Sequence, residues 1–185
     1  MPAPLISKAE VLARLTRTFR ESGYDGASLA EISTATGLGK SSLYHYFPGG
    51  KVDMAEQVLA HLEDTLEAAL FAPLRAAGRP AQKLDAMLHA LSDFYDRGKT
   101  ACLLERLAAS VDRKRFRRPL ARAFETWIGA VEVLAREAGR SKSDARFFAE
   151  DFVVRIEGAL VVSAGLGDTT IFERTLGDLR HGLSR

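Results

Sequence analysis

Lys40, Ser41, Ser42, Tyr44 and His45 crowd five hydrogen-bonding side chains into one short segment. Hydroxyls and an imidazole at that density suit the donor and acceptor edges of nucleic-acid bases, and a lysine beside them suits a backbone phosphate. Leu43 and Phe47 lie four residues apart with Tyr46 alongside, so helical spacing turns these three inward and leaves Ser41, Ser42, Tyr44 and His45 outward. Lys51, just past the Pro48-Gly49-Gly50 turn, is a second candidate for a phosphate. The alternative for this face is a merely solvated polar helix.

The elements that must position these groups are legible upstream. Leu29 to Thr36 predicts a short helix with Leu29, Ile32 and Ala35 on one face. Ser28 and Glu31 form a capping-box pair at its start, and Gly37 stands where a left-handed C-terminal cap is needed. Two short helices joined by a glycine-containing turn make a helix-turn-helix. Pro48 ends the second helix, and Gly49-Gly50-Lys51 leads into the next.

Taken together, Ser7 to Lys51 resembles the N-terminal domain of the TetR family of bacterial transcriptional regulators. The resemblance rests on Phe19-Arg20-Glu21-Ser22-Gly23-Tyr24, then Ser28-Leu29-Ala30-Glu31-Ile32, then Gly39 to Phe47 with Lys51 following. Two positions depart from the family pattern: Gly39 replaces a usual serine, removing a hydroxyl contact to phosphate, and Ser41 replaces a frequent glycine. Phe47-Pro48-Gly49-Gly50-Lys51 is similar to a branch that includes LmrA-like regulators of drug transporters. The resemblance implies an all-α chain: a three-helix DNA-binding domain over residues 1–51, then a larger effector-binding and dimerisation domain over residues 52–185. Ser41, Ser42, Tyr44 and His45 would read or approach bases, and Ser28, Lys40 and Lys51 would hold phosphates. The implied function is a one-component regulator, a repressor released from a near-palindromic, double-stranded operator by a small, hydrophobic effector.

Composition agrees without deciding. A chain of 185 residues is long enough for one helical unit with a sizeable core, or for a small reader docked on a larger body. The net charge of +2 is too small to argue for nucleic acid alone; residues 1–51 carry six basic against four acidic side chains. A denser run, Arg113, Lys114, Arg115, Arg117 and Arg118, reads first as a solvated loop between helices, and otherwise as extra phosphate attraction near the reader or a site for an anionic effector or partner protein. Cys102 is the only cysteine and the four histidines are scattered, so no disulfide, metal site or cofactor is expected. The lack of a long apolar run points to no membrane segment or signal peptide, and a cytoplasmic protein is expected. No nucleophile elbow, zinc-protease helix or complete phosphate loop is present, which argues against an enzyme.

Beyond Lys51 the pattern predicts helices over Val52–Leu70, Gln82–Arg97, Cys102–Ser110, Pro119–Ala138, Lys142–Ala164 and Thr170–Leu183. The first would link reader and body rigidly. Thr170 and Glu173 suggest another capping box. Phe172, Leu176, Leu179 and Leu183 form one stripe, and the preceding helix is apolar nearly all round, through Phe152, Ile156 and Leu160. These residues are the expected faces of a four-helix homodimer interface; the alternative is a buried central helix in a monomer.

Leu91, Phe94, Tyr95, Leu104, Leu107, Phe124, Trp127 and Ile128 supply large apolar surface for ordinary core or, as the resemblance implies, a ligand chamber. Trp127 leads this group because its indole combines broad apolar contact with one N–H donor. Glu157 and His89 are the polar groups expected to be drawn inward. A buried Glu157 would serve a cationic lipophilic effector or pair internally with Arg155 or another arginine. The competing function is a helical small-molecule-binding or interaction protein that does not bind DNA specifically.

Overall fold

The computed structural model describes residues 6–184, for Ser184 the backbone only. The first five residues of the expected 1–51 domain, and Arg185, lie outside the described residues. No strand occurs among those described, and no described helix is long and apolar enough to cross a membrane. Among the described residues ten α-helices run in chain order: α1 (Lys8–Gly26), α2 (Leu29–Thr36), α3 (Lys40–Tyr46), α4 (Gly50–Leu66), α5 (Ala72–Arg75), α6 (Pro80–Phe94), α7 (Leu103–Ala108), α8 (Arg113–Glu137), α9 (Lys142–Leu166) and α10 (Thr170–Arg180).

Two compact units emerge. The first contains residues up to Glu63 together with Leu103–Leu120; the second contains Asp64–Cys102 and Ala121 onward. The reader segment expected at 1–51 is therefore joined in its unit by most of α4, by α7 and by the start of α8.

In the first unit, α1 packs on both α2 and α7. Val11, Leu15 and Phe19 of α1 are fully buried, as are Ile32, Phe47, Leu103, Leu107 and Phe116. Phe116 explains why residues 113–118 are helical rather than the expected loop. Its ring meets Tyr24 edge-on at 5.1 Å, and that burial carries the helix through Pro119 despite the missing N–H.

In the second unit, α10 packs on α9 and α6, and α5 on α6. The break expected after Leu70 takes a different form. Glu67–Phe71 is a π-helical segment, with the Ala72 N–H bonded to the Glu67 carbonyl, and Pro73 then falls in the first turn of α5, where a proline needs no donor. The α6 helix ends at Phe94, followed by a 3₁₀ turn over Asp96–Gly98. At the start of α10 the expected Thr170–Glu173 box is replaced by Asp168, whose carboxylate accepts from the Thr170 N–H at 2.9 Å and the Thr170 hydroxyl at 2.7 Å. Those bonds, the hydroxyl's foremost, hold the Asp168 carboxyl below its ordinary pKa.

The stripe expected to face a second subunit belongs to this unit's own core. Phe152, Ile156, Leu160, Phe172, Leu176 and Leu179 are all buried. A Cβ on Gly98 would come within 2.8 Å of Phe172 Cβ, and the Phe172 ring meets Tyr95 at 6.0 Å. What α9 leaves exposed is another set: Phe147, Val154, Val161, Val162 and Leu166. An all-round apolar helix does not reveal by periodicity which side its own core claims.

Candidate nucleic-acid interface

Local chemistry builds the reading element. Ser28 caps α2: its hydroxyl oxygen accepts from the Glu31 N–H at 3.1 Å, while the Glu31 carboxylate accepts from the Ser28 N–H at 2.8 Å. Those bonds, the backbone one foremost, hold the Glu31 carboxyl below its ordinary pKa. Ser28 is exposed, so its hydroxyl stays within reach of a phosphate oxygen while it caps the helix.

Gly37 closes α2 with φ +72° and donates to the Ser33 carbonyl, a conformation that a side chain would strain. Arg14 bonds the Thr36 carbonyl at 3.1 Å and Glu10 at 2.8 Å, tying the turn to α1. The inner face of α2 is carried by Ile32 and Thr36, both buried, whereas Leu29 is half-buried and Ala35 exposed. Thr36 fills an inward position because its hydroxyl bonds the Ile32 carbonyl at 2.6 Å.

On α3 the two faces separate as spacing predicts. Leu43 and Phe47 are buried; Lys40, Ser41, Ser42, Tyr44 and His45 are exposed. Tyr46 is half-buried rather than fully inward, its hydroxyl donating to the Ile6 carbonyl at 3.1 Å. Gly39 caps α3 with no side-chain acceptor, so the first turn keeps free N–H groups facing solvent. Ser41, Ser42 and His45, with Arg14, Gly37 and Leu38, line an open concavity of about 920 Å³.

Lys51 is half-buried beside the first turn of this assembly. Its ammonium lies 4.7 Å from the Tyr24 ring centroid and 3.4 Å from the Asp25 carbonyl. Burial pulls its pKa down, opposed by the charges of Asp25, Asp112 and Glu31.

The expected ligand residues divide between the units. Leu104 and Leu107 belong to α7 in the first, while the other six lie in the second. Trp127 is fully buried, and its indole nitrogen has no hydrogen-bond partner among the described residues. Leu91 and Tyr95 are buried and Phe94 is half-buried. Phe124 and Glu157 line an open, mostly apolar groove of about 800 Å³ between α8 and α9, with Ile128, Val154, Gly158 and Val161. His89, expected to turn inward, is exposed and lies 2.8 Å from its own Asp85 carbonyl. Arg155, considered as a partner for Glu157, bonds Asp178 instead, at 3.5 Å. Among the described residues no His, Cys, Asp and Glu group that could hold a metal occurs.

Comparison with known proteins agrees with this geometry. Residues 11–58 match the bacterial regulatory proteins of the TetR family, and residues 80–176 match the C-terminal domain of LmrA/YxaF-like transcriptional regulators. The HTH-type transcriptional regulator LmrA of Bacillus subtilis is 27% identical over 169 residues, covering 89% of each chain. A TetR transcriptional regulator from Legionella pneumophila superposes with a TM-score of 0.82 at 20% identity, over 98% of both chains. A cysteine mutant of the TetR-family regulator CifR, solved with a 26 bp operator duplex, gives a TM-score of 0.76 at 20% identity over 98% of both chains.

Proposed function

Because the chain belongs to the TetR family of transcriptional regulators, in its LmrA/YxaF-like group, we propose that this DNA-binding regulator is a homodimeric repressor displaced from a near-palindromic operator by a small, largely apolar effector. The observation that carries the reading is the division of α3 and its cap: Leu43 and Phe47 are buried, and Lys40, Ser41, Ser42, Tyr44 and His45 are exposed.

In this reading Ser41, Ser42, Tyr44 and His45 approach base edges, and Ser28, Lys40 and Lys51 hold backbone phosphates. One seven-residue helix supplies few base contacts, so useful specificity calls for two half-sites and two subunits. The second copy would pack on the exposed apolar face of α9, through Val154, Val161, Val162 and Leu166 with Gly158 and Gly165 allowing close approach. Leaving four large aliphatic side chains in water on one helix is unfavourable unless a partner covers them.

The effector would enter the second unit. Trp127 supports this, since a buried indole N–H without a partner costs about 1–3 kcal/mol, a cost that a ligand acceptor would relieve. The groove beside Phe124 and Glu157 shares Val154, Gly158, Val161 and Val162 with the face assigned to the second copy, so in this reading the effector chamber lies around Trp127 rather than in that groove. An effector that prefers a conformation unfit for DNA lowers DNA affinity by the factor that DNA imposes on the effector.

The test is selection of random duplexes by the purified protein, followed by sequencing of the bound pool. Enrichment of one near-palindromic site is expected. No enrichment from a folded, ligand-stripped dimer would overturn operator reading in favour of a helical ligand-binding or interaction protein.

A further inference from the structure

We infer that the basic start of α8, through Arg113, Lys114, Arg117 and Arg118, is a second phosphate-binding element that extends the DNA interface beyond the helix-turn-helix. The inference rests on the DNA-reading function proposed above and adds to it a contact segment about sixty residues downstream of Lys51.

Four observations carry it. The segment is built into the reading unit: Phe116 is fully buried against Tyr24, and the Val111 N–H donates to the Asp25 carboxylate at 3.0 Å. The corner it joins already holds two of the other phosphate candidates, because Asp25 lies three residues before Ser28 and its carbonyl is 3.4 Å from the Lys51 ammonium. All five basic residues of the run are exposed, and Arg113, Lys114, Arg117 and Arg118 enter no ion pair with a described residue.

Charge placement is the fourth. Residues 1–63 carry six basic against seven acidic side chains, whereas residues 103–120 carry six against two, so the inserted segment alone makes this unit cationic. The positions are also unfavourable for the fold itself. Cations at a helix N-terminus oppose the macrodipole, and the pairs Arg113/Arg117 and Lys114/Arg118 repel at i, i+4. A polyanion would reverse both effects. An acidic protein would do so too, but the junction with Ser28 and Lys51 favours the DNA backbone.

The experiment compares full-length wild type with a variant carrying Arg113→Gln, Lys114→Gln, Arg117→Gln and Arg118→Gln, titrated against a random-sequence duplex over a range of salt concentrations. A control carries Lys99→Gln, Arg136→Gln, Lys142→Gln and Arg174→Gln, an equal charge change in the second unit. The α8 variant is expected to bind more weakly, its plot of log affinity against log salt shallower by about one for each phosphate it no longer neutralises, while the control keeps the wild-type slope. Arginine-to-lysine replacement at positions 113, 117 and 118 should retain the slope, and thermal melting should show the glutamine variant folded at least as stably as wild type. Equal losses in variant and control would reduce the effect to net charge and overturn the inference. An unchanged slope in the α8 variant would overturn it as well, leaving the run to an acidic protein or anionic ligand and the DNA-reading function intact. Failure of wild type to bind any duplex would overturn both.

Discussion

The Lys51 ammonium stands 4.7 Å from the centroid of the Tyr24 ring. A cation–π contact at this partly exposed site is worth about 0.5–1 kcal/mol, and it aims a flexible side chain before any phosphate arrives. The same ring is packed by Phe19 and Phe116, so the aim is set by the core of the reading unit. Lys51→Ala should weaken binding to selected and random duplexes by similar factors and reduce the salt slope by about one per subunit. A loss confined to the selected duplex would instead give Lys51 a role in base reading.

Tyr44 has 41% of its surface exposed although it is aromatic, and its neighbours on that face are hydroxyls and an imidazole. Tyr44→Ala should lower affinity for the selected duplex by about 1–3 kcal/mol while changing random-duplex affinity much less. Competition binding between the two duplexes measures the difference. Equal losses would remove Tyr44 from base reading.

The hydroxyl of Tyr24 interacts with Asp112, and its pKa is pushed from 10.0 up to about 12, chiefly by burial and then by the Asp112 charge. A pKa raised on folding means that the protonated phenol stabilises the fold fully below pH 10 and loses that contribution as pH rises towards 12. Tyr24→Phe should cost about 1 kcal/mol at neutral pH through the missing hydrogen bond, yet its stability should fall less steeply than that of wild type across the alkaline range. Parallel urea melts at a series of pH values would show whether the two curves converge.

Two sets of α9 and α10 substitutions separate assembly from folding. Val154→Glu with Val161→Glu should yield a folded monomer by light scattering, because both side chains are exposed and a carboxylate pair would repel its symmetry mate. Phe172→Ala should instead destabilise the protomer by about 3–5 kcal/mol, since the ring is fully buried. A stable dimer carrying both Val→Glu changes would move the subunit contact away from this face.

What was legible in the sequence was the chemistry decided within a few residues. Ser28 and Glu31 cap each other, Gly37 needs its left-handed conformation, and Leu43 with Phe47 orients α3; no distant contact competes with these choices. The α9 face was illegible for the opposite reason: apolar residues surround the helix, and only packing against α10 and Gly98 decides that Phe152, Ile156 and Phe172 belong inside. The basic run failed as a loop because charge and Pro119 suggest one locally, whereas burial of Phe116 against a ring ninety-two positions earlier in the sequence outweighs them. Dividing the chain at residue 51 met the same obstacle, as nothing near Leu103 announces its partnership with α1.

The π-helical segment at Glu67–Phe71 accommodates one residue more than an α-helical stretch of equal rise. Removing one residue there would carry an unbroken α-helix through Pro73, whose ring clashes with the carbonyl four residues back, so the widened turn and the proline belong together and neither can be changed alone.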